Sequence, residues 1–157
     1  MAEYVVIQGG VELRLALNAM AAREDRATRL AVRELAARLI RYAKREASGP
    51  ARGGGVRRNR KGEVVPHHSG GPGVVTGHLR RSILVLNEGR QGPFSWFTRV
   101  APRTPYARRL ELGFVGADSR GRRYTQPPYP YMRPALRKVD AEANKVFVRV
   151  WRKAEEG

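Results

Sequence analysis

Gln126-Pro127-Pro128-Tyr129-Pro130-Tyr131-Met132-Arg133-Pro134-Ala135-Leu136 is the stretch from which the fold is read. Pro127, Pro128 and Pro130 each fix φ and remove a backbone donor. Each also pushes the residue before it into extended geometry. Neither a helix nor a central strand forms through such a run, so the segment is expected to lie over a surface. Tyr129 and Tyr131 supply that surface with aromatic contact. Pro134 stands where proline is favoured, in the first turn of a helix. Val139, Ala143, Val146, Phe147 and Val150 follow at helical spacing, which predicts a helix from Pro134 to Lys153. A rigid aromatic strap feeding a terminal helix is a docking device for the rest of the chain.

Working back from the strap, Gly116–Arg123 reads as a polar basic loop. Tyr106–Leu112 begins as a helical turn and ends as a strand. Ile83–Leu86 and Phe94–Ala101 are strand runs, with turn chemistry over Glu88–Pro93, so the pair predicts a hairpin. Thr76 is a candidate N-cap for one helical turn. Residues 49–75 are rich in Gly and basic side chains and show no hydrophobic periodicity beyond Val64-Val65, which predicts a long flexible loop. From Val11 to Ala47 the pattern is helical and free of Gly and Pro. A single helix of that length would run about 55 Å, too long for a compact body. The charged cluster Arg23-Glu24-Asp25-Arg26 therefore marks an expected break near residues 22–26. The second helix is stopped by Ser48-Gly49-Pro50. The fold class is α+β: a long N-terminal helix and a C-terminal helix on a small antiparallel sheet, in one domain spanning 1–157, with the basic loop 49–75 within it.

The 157 residues carry 31 Lys and Arg against 14 Asp and Glu, a net charge of +17. That balance calls for a polyanionic neighbour: nucleic acid, an acidic protein surface or anionic lipid. Residues 51–110 contribute twelve bases against two acids, so the positive charge is concentrated in the middle of the chain. There are no cysteines, which excludes disulfides and thiolate metal sites. The first residues, Met-Ala-Glu-Tyr-Val-Val-Ile, lack the basic and apolar regions of a signal peptide. No apolar run approaches the length of a membrane span.

Residues with chemical potential form no catalytic set. His67-His68 has no third ligand at a recognised spacing and no carboxylate cluster beside it, and His78 is expected at the surface. Gly53-Gly54-Gly55 lacks the Gly-Lys-Ser/Thr ending of a phosphate loop. Ser69, Ser82 and Ser95 have no nucleophile-elbow context. The expectation is no enzyme, no cofactor and no metal. Arg52, Arg57, Arg58, Arg60 and Lys61 form the candidate contact to a polyanion, either DNA phosphates or an acidic partner subunit that orders the loop. Glu111, surrounded by arginines, pairs either with an arginine of a neighbouring subunit or with one of its own chain.

Three blocks stand in order along the chain. The first is Thr76-Gly77-His78-Leu79-Arg80-Arg81-Ser82-Ile83. The second is Tyr106-Ala107-Arg108-Arg109-Leu110-Glu111-Leu112-Gly113. The third is Pro128-Tyr129-Pro130-Tyr131-Met132-Arg133-Pro134-Ala135-Leu136. Preceded by a long helix, this ordered set resembles the tail-completion or head–tail joining proteins of long-tailed double-stranded DNA phages, the gene-product-ten-like family of lambdoid phages. The resemblance covers roughly residues 25–150. It implies an α+β fold and a structural role in the virion neck: a ring, commonly six-fold, that joins head to tail or terminates the tail tube. It also implies partners, namely copies of the chain itself, portal-adaptor or other neck proteins and tail-tube proteins. Assembly would occur in the host bacterial cytoplasm, with non-specific contact to duplex DNA in the channel and none to membrane. On this reading the strap and the second block belong to the body, while loops 51–75 and 116–123 reach neighbours or the channel. The competing expectation from charge alone is a basic, non-sequence-specific nucleic-acid-binding module.

Overall fold

In the computed structural model, residues 10–48, 76–117 and 119–156 are described. The fold is α+β. A helix α1, Gly10–Glu46, is followed by a short helix α2, His78–Ser82, and an antiparallel pair, β1 (Ile83–Gly92) and β2 (Ser95–Pro102). Helix α3, Ala107–Leu112, leads into a second hairpin, β3 (Phe114–Ala117) and β4 (Arg123–Gln126), and the strap then delivers the chain to α4, Met132–Glu156.

Helix α1 runs unbroken through 37 residues, so the break expected near residues 22–26 does not occur. A helix of this length stays continuous because only part of it lies against the body. From Gly10 to Met20 every residue is exposed. The charged cluster is instead where cover begins: Trp96 Nε1 donates to Asp25 Oδ1 at 3.1 Å, and Arg90 pairs with the same oxygen at 3.2 Å. Beyond it, Ala27, Ala31, Ala43 and Ala47 are buried. Small side chains at four-residue spacing let neighbouring backbones approach closely.

Helix α4 runs antiparallel along the covered part of α1. Its buried Ala135, Val139 and Val146 form one stripe. A polar ladder flanks the contact: Lys138 with Glu46 at 2.5 Å, Tyr42 Oη donating to Glu142 at 2.5 Å, Arg38 with Glu142, and Arg149 with Glu34. The β1–β2 hairpin also packs on α1. Its strands are longer than expected. Residues 88–92, which carry turn chemistry, stay paired through Gly92, and the turn falls at Pro93-Phe94. The reason lies outside the hairpin, because Glu88 is clamped to α1 and Arg90 reaches Asp25. Two further corrections are local. Tyr106–Leu112 is helical to its end, with the strand starting only after Gly113. The ends of 116–123, expected as loop, pair as β3 and β4, with Gly116 opposite Tyr124 and Ala117 opposite Arg123.

The clamp on Glu88 has a pH consequence. Arg33 Nε donates to Glu88 Oε2 at 2.9 Å, and Arg29 Nη2 donates to Oε1 at 3.1 Å. The Arg33 hydrogen bond, followed by that of Arg29, holds the Glu88 carboxyl down at about 2. Glu142 is lowered by the Tyr42 hydroxyl and then by Arg38. For Glu34, burial pushes upward, but Arg149 and Arg38 together win and the net direction is down. Depressed carboxylates contribute stability above their unfolded value of about 4.3, and that contribution is lost as pH falls toward the folded value. The urea midpoint is expected to hold from pH 7 to about 5 and to fall between about 4 and 2. Glu88→Gln should lower the midpoint at neutral pH and flatten the acid limb. An acid limb of unchanged slope in that variant would show that the clamp is not linked to folding.

Candidate functional site

The three sequence blocks come together in space. Leu79 and Ile83 of the first, Ala107 of the second, and Tyr131 and Ala135 of the third share one core cluster with Ala43 and Ala47 of α1. Tyr131 and Ala135 are fully buried.

Each block is shaped locally for this meeting. Gly77 occupies the N-cap position of α2 at φ +70, a left-handed conformation that favours glycine. Thr76, expected as the cap, sits one residue earlier and its Oγ1 accepts from His78 N–H at 3.3 Å. Ser82 is buried and its Oγ donates to the Leu79 carbonyl at 2.7 Å. The Ser82 carbonyl in turn accepts from Arg103 N–H at 3.2 Å, tying the first block to the end of β2. Tyr106, at the start of α3, lies with its ring 6.5 Å from that of His78, so the first two blocks also touch at the surface. The third block joins the second when Tyr129 N–H donates to the Leu110 carbonyl at 2.6 Å. Tyr129 itself is buried while Pro127 and Pro128 stay exposed, so the strap lies over the body with its tyrosines turned inward, as expected.

Glu111 takes a backbone role that the sequence does not announce. Its carboxylate accepts from the backbone N–H groups of Tyr131 at 2.8 Å, Met132 at 2.9 Å and Arg133 at 3.0 Å. A helix start leaves its first N–H groups without intrahelical partners, and here a side chain from α3 supplies the acceptor. Pro134 falls in that same first turn, where its missing donor costs nothing. Gly113, after α3, packs its backbone against the Gln126 carbonyl and Pro128. Pro130 and Pro134 are half-buried, while Pro128 and Arg80 are exposed.

Beside this junction is a groove of about 360 Å³ lined by Pro102, Thr104, Leu112, Tyr131 and Met132, among others. The hydroxyls of Thr104 and Tyr131 are buried there without a hydrogen-bond partner among the described residues. Burial, then the charge of Glu111, pushes the Tyr131 phenol well above its ordinary value. The phenol therefore stays protonated. Among the described residues, no group of three or more His, Cys, Asp or Glu is placed to hold a metal ion.

The candidate polyanion residues Arg52, Arg57, Arg58, Arg60 and Lys61 lie outside the described residues, as do His67, His68 and Gly53–Gly55. What the structure does place is a basic pocket of about 310 Å³ formed by Lys44, Gly77, Arg80 and Arg81. It stands close to the two points where the described chain leaves for, and returns from, residues 49–75. Arg80 and Arg81 are visible in the first block, but Lys44 is separated from them in sequence and carries no motif. Arg29 and Arg33 were also missed as a clamp, although their four-residue spacing puts them on one helix face.

No helix among the described residues is long and apolar enough to cross a membrane. No family model, curated protein or solved structure matches the chain.

Proposed function

We propose that the chain is a structural subunit of the neck of a long-tailed double-stranded DNA phage, with no catalytic role. In this reading copies close into a ring that joins head and tail or terminates the tail tube. Its neighbours are portal-adaptor or other neck proteins on one side and tail-tube proteins on the other. Assembly takes place in the host bacterial cytoplasm, and the duplex in the channel meets the ring without sequence preference. The observation that carries the reading is the convergence of the three ordered blocks on one junction, where Leu79, Ile83, Ala107, Glu111 and Tyr131 depend on one another. A set of short motifs that resembles one family has a single physical purpose here, to lock the strap and α4 onto the body. That leaves the loops and exposed faces for contact with neighbours.

A second reading is favoured by the pocket of Lys44, Arg80 and Arg81: a nucleic-acid-binding module without sequence preference. Two measurements separate the readings. Cryo-EM of particles assembled from the genome that encodes the chain is expected to place it, as a ring, between portal and tail tube. The isolated protein is expected to bind random duplex DNA weakly. A monomer in the virion, or a protein missing from it, overturns the neck reading. Tight binding that falls steeply with salt, by a slope of about 0.9 per phosphate contacted, supports the module instead.

A further inference from the structure

The first four turns of α1 are the largest feature that the fold itself leaves unexplained. Val11, Leu13, Leu15, Leu17 and Met20 are 69, 62, 64, 56 and 55% exposed. The helix there stands clear of α4 and of the β1–β2 hairpin, whose cover reaches only to Asp25. At about 100° per residue, Leu13, Leu17 and Met20 form one stripe, and Val11, Leu15 and Ala22 form another about 170° away. Glu12 falls on one flank between them and Arg14 on the other. A helix that is apolar on two opposite sides needs cover on two sides.

The chemistry of the arm selects its occupant. Residues 10–24 carry Glu12 and Glu24 against Arg14 and Arg23, a net of zero in a chain of +17. An acidic partner would be drawn to the cationic body, not to this arm. A helix lying on a lipid surface has one apolar face and a basic opposite face, which this one lacks. It is also too short to span a bilayer, which takes about 20 residues. A second copy of the chain fits, because the arm is where two strongly cationic molecules can approach without adding like charge. Two different apolar stripes on opposite sides are the two patches that a head-to-tail cyclic contact requires.

We infer that the arms stand side by side as the staves of a ring, the Leu13-Leu17-Met20 stripe of each copy packed on the Val11-Leu15-Ala22 stripe of the next. This rests on the ring reading above and adds the surface that closes it.

The test uses the absence of native cysteine. Leu13→Cys and Leu15→Cys in one full-length chain place one thiol on each stripe. Mild oxidation is expected to give a ladder of cross-linked species well beyond dimer on a non-reducing gel. Either substitution alone is expected to give no cross-link, since each stripe meets the other and not itself. Leu17→Asp is expected to convert the ring to monomers by native mass spectrometry, with the unfolding midpoint of the body unchanged. A ring that survives Leu17→Asp and yields no ladder overturns the stave arrangement and leaves the neck reading standing. A wild-type chain that stays monomeric at every concentration, and in the particle, overturns both.

Discussion

Glu111→Ala is expected to lower the unfolding free energy by about 3 kcal/mol and the melting temperature by about 6–12 °C. The carboxylate accepts three backbone N–H groups within 2.8–3.0 Å at the start of α4. Removing an ordinary cap costs about 1 kcal/mol. Here three donors lose a charged acceptor at once, each beside the positive end of the helix dipole. The cost also reaches beyond the helix end, because Glu111 belongs to α3 and its bonds hold the second block to the third. Glu111→Gln keeps one acceptor oxygen but turns an amide N–H₂ toward backbone donors, so roughly half the loss is expected. Urea unfolding followed by helical circular dichroism measures both. A loss below about 1 kcal/mol for the alanine variant would mean that solvent replaces the carboxylate at little cost.

The difference between local and distant causes explains what the sequence showed and what it hid. The strap and α4 were legible because proline acts on its own φ and its own donor, and because Val139 and Val146 recur on one helical face. The β1–β2 pair was legible from its apolar runs. Its turn was misplaced because Glu88, Gly89 and Arg90 read as turn formers, while Arg33 and Asp25, more than fifty residues upstream, hold Glu88 and Arg90 extended. The unbroken α1 was missed for a different reason. Nothing in Arg23-Glu24-Asp25-Arg26 opposes a helix, and only an assumption of compactness called for a break there. Glu111 gives no local signal of its role, since the N–H groups it serves begin 20 residues later. Much the same holds for the candidate site. Its blocks can be quoted in order from the chain, but their shared core becomes visible only when α1 supplies Ala43 and Ala47 beneath them.

Gly113→Ala is expected to cost about 4 kcal/mol, the largest effect expected of a methyl group added at any described glycine. Gly113 has φ +78 and ψ 175, a region that is all but closed to residues with a side chain. Occupying it with alanine costs about 1–3 kcal/mol. Steric overlap adds to this, because the new Cβ would stand 2.9 Å from the Gln126 carbonyl oxygen and 3.0 Å from Pro128 N. Both neighbours are backbone, and the ring of Pro128 fixes its φ, so neither yields as a flexible side chain would. Relieving the overlap means lifting the strap away from α3, which would strain the Tyr129–Leu110 hydrogen bond and then the seat of Tyr131 in the core. Gly121→Ala is the matched control. Its φ is +74, but nothing lies within 4 Å of the added methyl, so conformation alone should cost about 1 kcal/mol. The difference between the two variants in one urea titration isolates the close approach. Equal losses would show that the strap moves freely over Gly113. A loss several-fold larger at Gly113 would explain why the second block closes on glycine: it is the point where the third block crosses it.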